Sequence, residues 1–166
     1  GTRPYVARSQ LRLGQMLLGL ETVSDAQHAV PIYRAAAALS LWQGDHADAG
    51  RAAARGWDLV KDGGDWTLTA KMAATVAEVD SAAATDAGTR RDLAALASVR
   101  SRSREVLAAA RRAVERSRVG TTIGSRREAD AWLAQAAAHR ERLEGRDDPA
   151  TWSRLADLWA TLSNPY

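Results

Sequence analysis

The residue types that could carry chemistry are few and scattered in this 166-residue chain. Its three histidines, His28, His46 and His139, fall on different predicted helices, and none forms the two-histidine spacing on one helix that metal sites favour. The absence of cysteine excludes disulfides and thiolate ligands. The sequence contains neither a phosphate-binding loop nor a nucleophile motif. These residues therefore predict no metal, no cofactor and no catalytic group, although residues distant in sequence could still meet in a fold.

The adjacent carboxylates Asp147 and Asp148 could resemble an acid–base pair. Asp148 precedes Pro149, and an Asp followed by a proline is a strong signal for the start of a helix. We therefore interpret Asp148 as a helix cap and Asp147 as a polar loop residue.

Arginines are dense between Arg90 and Arg127, and few carboxylates accompany them. Such a segment could lie along a phosphate backbone, where each contact would add salt-dependent affinity. The arginines do not share one face, however, because Arg102 points away from Arg100 and Arg104. Arginine stems also cover apolar surface on exposed helices. The net charge of +3 is too small to indicate nucleic acid by itself.

The chain has six tryptophans and no phenylalanine, which predicts that tryptophan fills the core in place of phenylalanine. Trp152 and Trp159 lie on the apolar stripe of the last predicted helix and are expected in the core. Trp66 directly follows a predicted helix cap and is the tryptophan for which partial exposure is most expected. The candidate surface for a partner, or for a groove, comprises Trp66, Arg100, Arg104 and Arg111.

The elements that must position these side chains are helices, because apolar residues recur at helical spacing and no segment alternates with period two. The predicted helices cover about 6–20, 30–43, 46–61, 66 onward with a poorly defined end at 81–88, 89–118, 125–144 and 149–162. The predicted start signals are Pro31 in a first turn, caps at Asp45, Asp65 and Asp148, and the boxes Thr89-x-x-Asp92 and Ser125-x-x-Glu128. Gly44 and Gly145 are the predicted stops. The fold class is all-α, with antiparallel helix hairpins stacked as a tetratricopeptide-like solenoid or an irregular helical bundle.

Residues 33–61 resemble one tetratricopeptide hairpin. Tyr33 and Ala37 occupy the aromatic and small positions, Gly44 the turn, and Ala49 and Gly56 the sites where two helix backbones approach closely. The segment departs from the repeat pattern at Ser40, Ala53 and Lys61, where Tyr, Phe and Pro are usual. The whole chain, residues 1–166, is predicted to be a single helical-repeat domain.

The composition is that of an ordinary soluble domain, with 46% hydrophobic and 26% charged residues and no apolar run long enough to cross a membrane. Together with the lack of cysteine, this favours a cytoplasmic location. The chain begins at Gly1 and ends at Tyr166, directly after a turn-forming Asn-Pro pair. Both ends are expected to be cuts through a longer protein.

One resemblance extends beyond the single hairpin. Residues 141–152, ERLEGRDDPATW, followed by Trp159-Ala160 and Asn164-Pro165-Tyr166, resemble the helical middle region of large ATP-binding LuxR-type transcriptional regulators of actinobacteria. The family combines an N-terminal ATPase, a tetratricopeptide-like middle and a C-terminal DNA-binding helix-turn-helix. Neither the ATPase motifs nor the recognition helix occurs in these residues.

The resemblance implies a non-catalytic module that binds other domains of its parent, a protein partner or a small effector, and that could form a homo-oligomer. Direct contact with DNA through this segment is not expected under that interpretation. The main alternative is a nucleic-acid-binding domain that uses the arginines from Arg90 to Arg127, and a small helical enzyme is a third possibility.

Overall fold

The computed structural model describes residues 25–117 and 123–162, and these residues form helices and turns without a strand. The helices are α1 (Ala26–Trp42), α2 (His46–Val60), α3 (Trp66–Thr89), α4 (Leu93–Arg116), α5 (Ile123–Leu143) and α6 (Pro149–Leu162). The predicted all-α fold class is confirmed. The helix predicted at 6–20 and the terminal Asn164-Pro165-Tyr166 lie outside the described residues. Within the described part, no helix combines the length and apolarity needed to cross a membrane.

Aspartates cap the helix starts, as predicted at three positions. The carboxylate of Asp45 accepts a hydrogen bond from the Asp48 N–H at 2.9 Å, and that of Asp65 accepts from the Thr67 and Leu68 N–H groups at 3.0 Å. Asp148 accepts from the Ala150 N–H at 3.0 Å. These bonds satisfy N–H groups that the first turn of a helix leaves without a backbone partner.

The predicted start of α1 is wrong. The helix begins at Ala26 because Asp25 caps it, accepting from the Gln27 N–H at 3.0 Å. Pro31 therefore lies inside the helix rather than in its first turn. A proline there removes one backbone hydrogen bond, a local cost that the cap and the burial of Ala29 and Val30 offset.

Two predicted capping boxes are also wrong. Residues 81–88 are helical, and α3 continues to Thr89, whose hydroxyl donates to the Thr85 carbonyl at 3.0 Å. Asp92 alone caps α4, through the Ala95 N–H. Because α5 begins at Ile123, Ser125 lies within its first turn instead of preceding it.

The α1–α2, α3–α4 and α5–α6 turns are closed in the same way. The residues after the helices, Gly44, Arg91 and Gly145, have φ values of 77°, 56° and 77°. In each turn the next N–H reaches back five residues, from Asp45 to Ser40, from Asp92 to Ala87 and from Arg146 to Glu141. This left-handed closure suits glycine, so Gly44 and Gly145 are confirmed as stops. Arg91 adopts the same conformation at a steric cost that glycine avoids.

The α1–α2 hairpin is packed as the repeat pattern predicts. Ala37 and Ala49 are fully buried in one core cluster. A Cβ added at Gly56 would lie 2.5 Å from Met72 Cε and 3.0 Å from Tyr33 Cβ. Small residues at these positions let α2 approach α1 and α3 closely.

Helix α3 is the centre of the fold, because it contacts α1, α2, α4 and α5. Most of its residues are buried, including Met72, Val76 and Val79. The described helices form a packed bundle in which the main contacts lie within one hairpin or between successive hairpins, a pattern compatible with both predicted architectures.

Candidate functional site

An open groove lies between α2 and α4, above the central helix α3. It arises because α2 and α4 both pack against α3 without packing closely against each other. Its volume is about 580 Å³. The apolar lining consists of Gly50, Ala53, Ala54 and Trp57 from α2, Val76 from α3, and Val106 and Ala109 from α4.

Short side chains keep the groove open. Ala53, which occupies a position where the tetratricopeptide pattern has a phenylalanine, lines the groove together with Ala54 and Ala109. Larger side chains at these sites would project into the space between the two walls. The departure from the repeat pattern at Ala53 therefore leaves a small, buried side chain at the floor of the groove.

An ion pair between buried Asp80 and half-exposed Arg102 fixes one end of the groove. Asp80 is 0% exposed, and one of its carboxylate oxygens accepts hydrogen bonds from Arg102 Nε, at 2.9 Å, and from a terminal guanidinium nitrogen of Arg102. Burial raises the pKa of Asp80, and Arg102 opposes that rise. The second oxygen of the carboxylate has no hydrogen-bond partner among the described residues. Arg102, which lines the groove, is held by an interaction with α3 that would be costly to break.

The other charged groups on the rim are mostly paired nearby. Lys61 Nζ lies 2.7 Å from Asp58 Oδ1, and Glu105 accepts from the Ser101 hydroxyl at 2.8 Å. Arg112 forms no ion pair within the described part of the chain. The groove thus offers an apolar floor and walls with both signs of charge at the rim, which suits binding through shape and apolar contact.

A second polar network ties α1, α3 and α5 together. The Arg34 guanidinium stacks 4.3 Å above the Trp132 ring, and its Nε donates to Thr75 Oγ1 at 3.2 Å. Burial lowers the pKa of Arg34. Lys71 Nζ lies 2.9 Å from Glu128 Oε1, and this pairing lowers the pKa of the carboxyl. These contacts explain the role of Glu128 better than a capping box does.

The last helix is attached through aromatic contacts. The Trp152 ring meets His139 edge to face at 4.9 Å, lies 4.4 Å from the Arg142 guanidinium carbon, and donates from Nε1 to Asp147 at 2.7 Å. Asp147 is therefore part of the α5–α6 junction. Burial, followed by the charge of Arg142, lowers the pKa of His139 to about 4.

The tryptophans predicted in the core of the last helix are only half-buried. Trp159 packs edge to face on Trp132 at 4.5 Å, and its Nε1 donates to Gln135 Oε1 at 3.1 Å. Of the predicted apolar stripe of α6, only Leu155 is fully buried, because α6 contacts the bundle mainly through α5.

The candidate surface residues predicted from sequence do not line the groove. Trp66 is half-buried against Ala70, Val114 and Ala129, so it is partly exposed as expected, whereas Trp42 is 71% exposed. Trp42 ends α1 and projects beyond the packed hairpin, whereas the first turn of α3 lies against α4 and α5.

The three predicted arginines lie along one side of α4, since separations of four and eleven residues are close to whole helical turns. Arg100 pairs at 3.2 Å with Glu144, in the turn that follows α5. Arg104 is exposed, and Arg111 is exposed beside a second cavity between α4 and α5. Arg102 points to α3 instead, in agreement with its predicted separation from Arg100 and Arg104.

Sequence reasoning missed Trp57, Asp80 and Arg102 as parts of one site. The available signal was Asp80, a carboxylate in the Ala- and Val-rich segment that forms α3. A charge at a buried position needs a partner, and Arg102 supplies it from another helix. The described residues contain no cluster of three or more His, Asp or Glu able to hold a metal ion.

The fold and the groove define a class of structure, an all-α bundle with an open groove over its central helix. Comparison with protein-family models, curated proteins and solved structures returns no match for this chain.

Proposed function

We propose that this chain is a non-catalytic helical module that binds an amphipathic helix in the groove between α2 and α4. The observation that carries the proposal is the groove itself, which is apolar, open and built from helices that are already packed on α3. A preformed site avoids the cost of ordering the receptor when the ligand binds.

The shape of the groove favours a helix as its occupant. From Arg102 to Arg112 the α4 wall extends about 15 Å at the rise of an α-helix, enough for about ten helical residues of a ligand. Gly50, Ala53 and Ala54 present little side-chain bulk, which permits the ligand backbone to come close. Apolar residues spaced i, i+3, i+4, i+7 on the ligand would face the floor, as in other helix-in-groove complexes.

The resemblance of residues 141–152 to the middle region of LuxR-type regulators supports placing this module in a bacterial transcriptional regulator. The bound helix would then come from another domain of the parent polypeptide or from a protein partner. Binding would transmit a signal by favouring the arrangement of the parent in which the groove is occupied.

A matched pair of exposed alanines tests this function. Ala54 lines the groove, whereas Ala35 is exposed on α1 and does not line it. Affinity for a model amphipathic helical peptide with a leucine face can be measured by fluorescence anisotropy. Ala54→Gln should weaken binding about tenfold, because the longer side chain fills the groove, and Ala35→Gln should leave it unchanged. Equal affinities of both variants and the wild type would contradict the proposal.

One observation bears on the alternative, direct binding of nucleic acid through Arg90 to Arg127. Arg104 and Arg111 are exposed and form no ion pair within the described residues. Four other arginines of the segment, Arg90, Arg100, Arg102 and Arg126, already pair with Asp86, Glu144, Asp80 and Asp130. These four guanidinium groups are already engaged within the bundle, and the groove remains the better-supported site.

A further inference from the structure

A second cavity of about 390 Å³ lies on the other side of α4, at its junction with α5. Three arginines, Arg111, Arg112 and Arg126, surround it, and Val114 and Leu133 contribute apolar surface. Two carboxylates, Glu115 and Asp130, complete its lining. The cavity therefore combines positive charge with an apolar patch.

The positive charge available to a ligand comes mainly from two adjacent arginines. Arg126 lies 3.8 Å from Asp130 and is partly neutralised by it. Arg111 and Arg112 are exposed, and neither forms an ion pair within the described residues. Both project from the last turns of α4, so an acidic ligand could reach them without breaking an existing pair.

We propose that this α4–α5 cavity binds an acidic peptide segment that carries an apolar anchor residue. The anchor would contact Leu133 and Val114, and flanking carboxylates would pair with Arg111 and Arg112. A peptide can place its carboxylates away from Glu115 and Asp130. A nucleic acid backbone carries charge at every phosphate and would meet these two carboxylates unfavourably. Arg112 lines both the cavity and the groove, whereas Arg111 lines only the cavity and therefore distinguishes the two sites.

The test uses a fluorescein-labelled peptide with a central leucine flanked by glutamates, with anisotropy measured at low and at physiological salt. The matched variants are Arg111→Gln at the cavity and Arg104→Gln, an exposed and unpaired arginine on the same side of α4 that does not line the cavity. Circular dichroism and thermal melting confirm that both variants remain folded. Arg111→Gln should weaken binding two- to fivefold, the usual range for one exposed charge pair, and Arg104→Gln should not.

Two further arms separate the possible ligands. Replacing the central leucine of the peptide by serine should weaken binding, because the apolar anchor is lost. A short DNA duplex should bind more weakly than the peptide at the same salt concentration. Lack of peptide binding, or equal binding of the leucine and serine peptides, would overturn the inference. Tighter binding of the duplex, weakened equally by Arg104→Gln and Arg111→Gln, would overturn it in favour of nucleic acid along α4.

Discussion

Two glycines of α2 should respond differently to the same substitution. A glycine inside a helix costs about 0.5–1 kcal/mol relative to alanine. A Cβ added at Gly50 meets no atom within 4 Å, so Gly50→Ala should recover that free energy and stabilise the protein. At Gly56 the new Cβ would lie 2.5 Å from Met72 Cε and 3.0 Å from Tyr33 Cβ. Overpacking of this kind typically costs about 1–3 kcal/mol.

The gain in helix propensity and the cost of overpacking together make Gly56→Ala neutral, or destabilising to the folded protein by up to about 2 kcal/mol. The difference between the two variants, about 1–3 kcal/mol, isolates the cost of the close approach at Gly56. Urea unfolding followed by circular dichroism measures the free energy of unfolding of each variant. Shortening the neighbour in a Met72→Ala background should remove most of the penalty at Gly56, and a double-mutant cycle would quantify the coupling.

Stabilisation of Gly56→Ala equal to that of Gly50→Ala would refute the close packing of α1, α2 and α3 at Gly56. So would a penalty that persists unchanged in the Met72→Ala background, because Met72 supplies the nearest atoms.

Other predictions concern charge and backbone strain. The pKa of His139 is lowered to about 4, so protons bind the unfolded chain preferentially between that value and 6.5. The free energy of unfolding should therefore fall by up to about 3 kcal/mol as the pH drops through this window, and His139→Gln should flatten this part of a pH-dependent unfolding profile. Arg102→Met should cost about 3–5 kcal/mol at neutral pH by leaving Asp80 buried and unpaired. That penalty should shrink in acid, where the carboxyl takes up a proton, whereas exposed Arg104→Met should be nearly neutral by the same denaturation assay. Arg91→Gly should raise the melting temperature, corresponding to about 1 kcal/mol, because glycine adopts the observed φ of 56° without steric cost.

Interactions within a few residues were predictable from the sequence. Asp45, Asp65 and Asp148 cap helices, and Gly44 and Gly145 end them, because a cap or a left-handed turn depends on its immediate neighbours. The same local reasoning failed where two signals lay close together. Helix α1 starts after the cap Asp25 rather than near Pro31, and α4 starts after the cap Asp92 rather than at Thr89. Helix α5 begins two residues before Ser125.

The site depended on contacts between residues far apart in the chain. Asp80 and Arg102 are 22 residues apart and meet only because α3 and α4 pack side by side. The groove exists because α2 and α4 both pack on α3 without packing closely against each other. The spacing of apolar residues along the sequence does not predict such an arrangement. The sequence shows that Ala53 departs from the tetratricopeptide pattern. That Ala53 lines a groove can be seen only once the position of α4 is known. The relationship to LuxR-type regulators stays a prediction.

The central claim is that the groove between α2 and α4 receives an amphipathic helix. Its most direct test is a methyl-detected NMR titration of the protein with the leucine-faced helical peptide. The claim predicts saturable shift changes centred on the methyl groups of Ala53, Val76 and Val106, with little change at Ala35 on α1. Shift changes that cluster elsewhere, or none at saturating peptide, would contradict it.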